Sequence, residues 1–204
     1  MRVIDPAEHS PTDVYKLMIG VIVPRPIAFV SSVDAAGVRN LAPFSYFTGC
    51  STNPPVVCFC SAVRPGSAPQ KDTLRNIEAT GEFVVNIVSE EIAEQMNLSA
   101  AEVAPEVDEF ELTGLTPLPS DLIKPPRVAE SKVQMECRLR QVIRISDKPG
   151  GGNLVLGDVL RFHVRESVLT DGYKIDPDKL NAIGRMGGPT YVRTRDRFDL
   201  QRPR

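Results

Sequence analysis

Three stretches carry residue types and spacings suited to an anionic, ring-bearing ligand. The first is Asn40-Leu41-Ala42-Pro43-Phe44-Ser45-Tyr46-Phe47, where Pro43 removes a backbone donor and disfavours helix just before it. Small residues around Pro43 let a flat molecule approach the main chain, whose N–H groups could then bond the polar edge of a ring. The same residues also suit a kinked strand end with buried aromatics. The second stretch, Ser61 to Asn76, contains Ser67, Lys71, Asp72 and Thr73. A loop feeding a helix N-terminus attracts negative charge through free N–H groups and the helix dipole, and Lys71 adds a point charge. A phosphate fits there, and so does ordinary capping by Asp72 or Thr73. The third is Gly184-Arg185-Met186-Gly187-Gly188-Pro189-Thr190-Tyr191. Its glycines permit close approach, and Arg185 could pair with a phosphate or a ring carbonyl. A glycine-rich turn with a solvated arginine fits as well.

Other chemistry finds less support. There is no G-x-G-x-x-G fingerprint and no nucleophile elbow. Histidine occurs only as His9 and His163, neither near a cysteine pair, so no metal site is expected. His163 lies within a strand pattern, where a lone histidine is usually structural. Cys50, Cys58, Cys60 and Cys137 contain no C-x-x-C pair and are expected to be reduced, mostly buried thiols.

Composition bounds the class. The chain has 204 residues, 42% hydrophobic and 25% charged, enough for a real core. Its net charge is −2, which argues against a nucleic-acid partner. No run of about 18 apolar residues exists and the N-terminus lacks a signal-peptide core, so a cytoplasmic protein with no membrane span is expected.

The elements that must position these residues are mainly strands. Pro26 to Val33 reads as a strand, Asp34 to Gly37 as a turn, and Val38 to Ala42 as the return arm of a hairpin. Pro55 to Ala62 is a near-continuous apolar run, expected to be buried on both faces. Residues 63–70 form a loop, and a helix opens at Lys71-Asp72-Thr73 and stops at Gly81. Phe83 to Val88 is a strand, and residues 89–98 suit a short amphipathic helix. Ser99 to Glu102 has capping-box spacing, with Pro105 limiting any helix. Residues 115–126 read as a Pro-rich surface excursion. Val133, Met135, Cys137 and Leu139 alternate with Gln134, Glu136, Arg138 and Arg140, and the pattern slips near Gln141, as at a bulge. After a turn at 148–153, Leu154 to Val164 is a strand with Leu160, Phe162 and Val164 on one face. Short connections and many strands predict a closed antiparallel barrel with a few helices, not a doubly wound sheet.

Taken in order, several segments resemble those of one family. They are P-R-P-I-A-F-V-S-S at 24–32, N-L-A-P-F-S-Y-F at 40–47, N-P-P-V-V at 53–57 and K-D-T-L-R-N-I at 71–77. G-E-F-V-V-N at 81–86, V-D-E-F-E-L-T-G-L-T at 107–116, P-P-R-V-A-E-S at 125–131 and G-R-M-G-G at 184–188 complete the set. The chain resembles the flavin reductase-like FMN-binding split barrels, a group that includes flavoredoxin and the reductase component of nitrilotriacetate monooxygenase. The resemblance runs from about residue 11 to 200 and implies one domain, a mainly β Greek-key split barrel with short helices and a C-terminal extension. It also implies a homodimer with FMN at the subunit interface. Ser31, Ser32 and the segment Asn40, Ala42, Pro43, Phe44 and Ser45 would line the ring and ribityl chain, with Ser61 beside them. Lys71, Asp72 and Thr73 would meet the phosphate, and Arg25 and Arg185 would assist, Arg185 by reaching across the interface.

The activity so implied is NAD(P)H-dependent flavin reduction, with NADH or NADPH as donor and no side chain needed as acid or base. Reduced FMN would serve a monooxygenase component or another redox protein. A flavoredoxin-like electron carrier with tightly held FMN, and a barrel that has lost its flavin and serves as an interaction module, are the alternatives.

Overall fold

The computed structural model describes residues 1–66 and 70–203. Among them, seven antiparallel strands form one sheet: β1 Ala28–Val33, β2 Arg39–Phe44, β3 Phe47–Thr52, β4 Pro55–Ala62, β5 Glu82–Ile87, β6 Val133–Arg144 and β7 Gly152–Val164. Their order is β2-β1-β5-β6-β7-β4-β3. The outermost strands, β2 and β3, are separated in sequence only by Ser45 and Tyr46. A flat seven-stranded sheet would hold its edges about 29 Å apart. The short link from Phe44 to Phe47 reaches only about 10 Å. The sheet therefore has to curl until its edges meet, which makes a split barrel with its seam at Ser45-Tyr46. At that seam the Cys60 N–H donates to the Tyr46 carbonyl at 2.8 Å.

The barrel interior is packed by Val30, Phe44, Phe59, Phe83, Val85 and Val155. Phe44 and Phe59 lie 4.7 Å apart between ring centroids, and Phe59 and Phe83 5.7 Å apart. Gly157 is required beside Phe83, because a Cβ there would stand 2.3 Å from the ring. Helix α2 (Asp72–Thr80) plugs one end of the barrel with Leu74 and Ile77 and stops at Gly81. Gly81 has φ 74°, a conformation that favours glycine. A second core covers the outer face of β1 and β2. There Phe29 and Leu41 pack with Met96 of α3 (Ala93–Leu98), Phe110 of α4 (Glu109–Thr113) and Val128. Each such fully buried side chain stabilises the fold by about 1.5–3 kcal/mol.

Helix α1 (Pro11–Val21), for which the sequence reading gave no assignment, is capped by Ser10 and starts on a proline. It buries only Ile19.

Several expectations need correction. β4 is fully buried only on the face carrying Val57, Phe59 and Ser61; Cys58 and Cys60 on the other face are half-buried. All four cysteines are free, but only Cys137 is buried and Cys50 is exposed. Gln134 and Glu136, polar positions of the expected alternation, are both buried, because residues 115–131 lie across the outer face of β6. The β6–β7 register shifts between Leu139 and Gln141, where a bulge was expected, and also between Glu136 and Cys137. Phe162 is exposed. Ser99 closes α3 and opens no helix: its hydroxyl donates to the Met96 carbonyl at 2.8 Å.

Candidate functional site

The site forms where β2, β4 and the start of α2 meet at one end of the barrel. Ser32 and Asn40 are cross-strand partners on β1 and β2. Asn40 Oδ1 accepts from Thr73 Oγ1 at 2.6 Å and from Ser32 Oγ at 3.2 Å, and Asn40 Nδ2 donates to Glu109 at 3.0 Å. Asn76 donates to Ser32 at 3.3 Å. Every member of this network is buried, so the side chains of Ser32, Asn40 and Thr73 brace the wall and are satisfied within the protein. Glu109 also accepts the Leu41 N–H at 3.0 Å, a donor the sequence reading had left open to a ligand. Burial pushes the Glu109 carboxyl up, against the hydrogen bonds that favour its charged form.

Beside this braced wall lies a group of atoms that have no partner among the described residues. Lys71 is the N-cap of α2 but makes no side-chain capping bond. The first N–H groups of the helix, at Asp72, Thr73 and Leu74, therefore lack intrahelical partners. Lys71 Nζ lies 5.3 Å from the centre of the Phe44 ring. Among the described residues it has no hydrogen-bond acceptor and no carboxylate within 4.0 Å. Burial lowers the Lys71 pKa, the neighbouring Arg64 charge lowers it further, and Glu102 partly offsets both. Arg64, which the sequence reading did not single out, joins the cluster with a buried Nε that has no partner. Ser61 Oγ is likewise buried and unpartnered. A narrow cavity of about 40 Å³ runs between Ala42, Pro43, Arg64 and Lys71 on one side and Ser99 to Ala101 on the other. Asp72 faces Arg75 at 2.5 Å and Arg64 at 3.8 Å, so it offers an anion only its N–H. Ser67 lies outside the described residues.

The remaining expected site residues sit apart from this cavity. Ser31 points to the opposite face of β1 from Ser32, where its hydroxyl donates to the Pro126 carbonyl at 2.5 Å. Arg25 is 4% exposed, and its guanidinium donates to the carbonyls of Ile19, Ile22 and Met186 at 2.8, 2.8 and 3.0 Å. Its Nε donates to Ser45 Oγ at 3.3 Å. Arg25 thus ties α1, the β2–β3 link and the 183–193 hairpin together, with four of its five N–H donors spent on protein acceptors. Arg185 stacks on Tyr191 at 4.4 Å and donates to the Gly188 carbonyl at 2.6 Å. Phe44 is a core side chain that meets the site only through Lys71. Residues 107–109 entered the sequence reading only as part of a motif. Asp108 caps α4 and pairs with Arg39 at 2.5 Å, which carries Glu109 to Asn40.

A curled antiparallel sheet whose mouth carries a helix N-terminus without a side-chain cap, two clustered cations and polar atoms without partners among the described residues defines a split barrel with a candidate binding site at that mouth. The flavin reductase like domain matches residues 20–181, and the chain belongs to that family. It is similar to nitrilotriacetate monooxygenase component B from Bacillus cereus, with 39% identity, a TM-score of 0.92 and 98% of each chain covered. It is also similar to 2-nitrobenzoate 2-nitroreductase from Pseudomonas fluorescens, with 32% identity and a TM-score of 0.89, over 99% of this chain and 96% of the other. A protein of Aquifex aeolicus is 40% identical over 179 residues, 88% of this chain and 89% of its own length. The fold is the flavin reductase split barrel. Among the described residues, no helix is long and apolar enough to cross a membrane.

Proposed function

We propose that this chain, with residues 1–204 acting as one domain around a core at about 11–200, is an NAD(P)H-dependent flavin reductase that takes FMN as its flavin. The observation that carries the reading is the half-buried Lys71 beside Arg64, with no carboxylate within 4.0 Å of Lys71 among the described residues, at a helix N-terminus without a side-chain cap. These groups fit a terminal phosphate, which would supply the missing charge and accept from the free N–H groups. The orphaned Ser61 Oγ suits the polar part of the same ligand. The small cavity bounded by Ser99 to Ala101 suits the phosphate end of such a ligand.

When bound, the flavin supplies the two-electron chemistry and accepts hydride from NADH or NADPH. The residues of this chain bind and orient it. Lys71 and Arg64 hold the charged end, and Asn40, locked by Thr73 and Glu109, keeps the β2 wall rigid. None of them needs to act as acid or base.

The exposed apolar side chains of α1, Tyr15, Leu17, Met18 and Val21, support a homodimer with the flavin at its interface. Similarity to a monooxygenase component supports a role in supplying reduced FMN to such a partner.

The test is anaerobic titration of purified protein with FMN, followed by oxidation of NADH and NADPH with FMN in excess. Many turnovers per chain are expected. Retained flavin that bleaches once and does not turn over would point to an electron carrier instead. Failure to bind FMN at all would overturn the reading.

A further inference from the structure

Away from the flavin mouth, three side chains from distant segments converge on the outer face of the barrel. His163 of β7, Glu136 of β6 and Asp121 of the covering segment each present a ligand atom, and these atoms all lie within 4.8 Å of one another. Glu136 is fully buried, His163 half-buried and Asp121 exposed, so the group opens to solvent on one side. The Glu136 carboxylate is oriented from behind by the N–H groups of Asp121 at 2.9 Å and Leu122 at 2.8 Å. Burial alone would raise its pKa, but these donors and His163 outweigh burial and keep it ionised. On its open side, His163 Nε2 lies 2.6 Å from Glu136 Oε1.

We propose that Asp121, Glu136 and His163 form a site for a divalent first-row transition ion of the Zn²⁺ type. One imidazole and two carboxylates are ordinary donors for such an ion, with water completing the shell. The 2.6 Å contact between His163 Nε2 and Glu136 Oε1 lies where the ion would enter. The ion would bind the ring nitrogen and the carboxylate oxygen as lone-pair donors, any proton between them passing to solvent, with no change of oxidation state. Two ligand atoms on tetrahedral zinc stand about 3.3 Å apart, given bonds of about 2.0 Å. His163 and Glu136 need to separate by less than 1 Å to admit it. Arg161 holds Asp121 Oδ2 at 2.7 Å, which leaves the other oxygen for the ion. The nearby Arg161 charge lowers affinity without closing the site. An ion here would clip the segment around Asp121 to β6 and β7. That segment continues to Pro126, whose carbonyl holds Ser31.

The test uses the full chain, stripped with a chelator and dialysed, and does not depend on flavin. Zn²⁺ is titrated calorimetrically, and Co²⁺ is followed by its visible absorption. A single Zn²⁺ per chain, a Co²⁺ band and a raised unfolding temperature with Zn²⁺ are expected. His163→Ala and Asp121→Asn should each weaken Zn²⁺ binding on the order of ten-fold or more. His9→Ala, on the distant N-terminal segment, should leave it unchanged. Circular dichroism checks that the variants fold, and Asp121→Asn alters an exposed side chain, so the test survives if His163→Ala does not fold. No heat and no Co²⁺ band would overturn the proposal. So would binding that persists unchanged in Asp121→Asn.

Discussion

Two cationic regions flank the mouth of this barrel, and they differ in what their charges meet. Arg25 is more deeply buried than Lys71, yet all its contacts lie within the protein: three carbonyls and a hydroxyl. Lys71 is half-buried and meets a phenyl ring and a second cation, with only the more remote Glu102 charge to offset them among the described residues. Both residue types suit phosphate binding. Satisfaction of the charge separates a brace from a binding group, since a buried charge is tolerated when it is hydrogen-bonded and is costly when it is not. Burial alone would have ranked the two the wrong way round.

The largest expected effect breaks the brace. Arg25→Met should destabilise the fold by about 2–4 kcal/mol in chemical denaturation, because it leaves several buried carbonyls without donors. A loss of flavin affinity with intact stability would instead place Arg25 among the ligand contacts. Lys71→Ala is the mirror experiment. It should weaken FMN binding by roughly 10- to 100-fold, about the strength of a charge-assisted hydrogen bond, with little change in melting temperature. Fluorescence quenching of FMN measures it, and unchanged affinity would remove Lys71 from the phosphate site.

The pH dependence sharpens the same contrast. The folded pKa of Lys71 lies below its ordinary 10.5, so the fold disfavours the charged form. That penalty is present below the lowered pKa and fades as pH rises through it toward 10.5. A bound phosphate reverses the preference. FMN affinity should therefore fall as pH rises through the lowered Lys71 pKa, and Lys71→Arg should extend tight binding to higher pH. A profile identical in the two proteins would assign the pH dependence elsewhere.

Ser61→Ala is the smallest of these effects and has two signs. Removing a buried hydroxyl with no partner should leave the ligand-free protein equally stable or more so, while FMN affinity drops about three- to ten-fold. A loss of stability without a change in affinity would make Ser61 a packing residue.

Much of the barrel was legible from residue patterns. The runs A-F-V-S-S-V, P-V-V-C-F-C-S-A and E-F-V-V-N-I lie in strands within a residue or two of expectation, because β-branched and aromatic residues favour a pleated, packed surface. The helix opening at Asp72 and stopping at Gly81 was legible from its end signals. The polar positions of β6 were not. Gln134 and Glu136 alternate with apolar residues as solvent-facing positions do, and become buried only because residues 115–131 fold across them. Local periodicity carries no information about a cover supplied from elsewhere in the chain.

The sequence by itself determined that this is a β-rich chain with a lysine-headed helix start and an ordered set of flavin-reductase segments. Those properties depend on dihedral preference, side-chain alternation and local chemistry, which act over a few residues. Only the tertiary structure decided which hydroxyls and cations remain unsatisfied. Curling the sheet brings β2, β4 and α2 together, and whether Ser61, Arg64 or Arg25 finds a partner depends on residues tens of positions away.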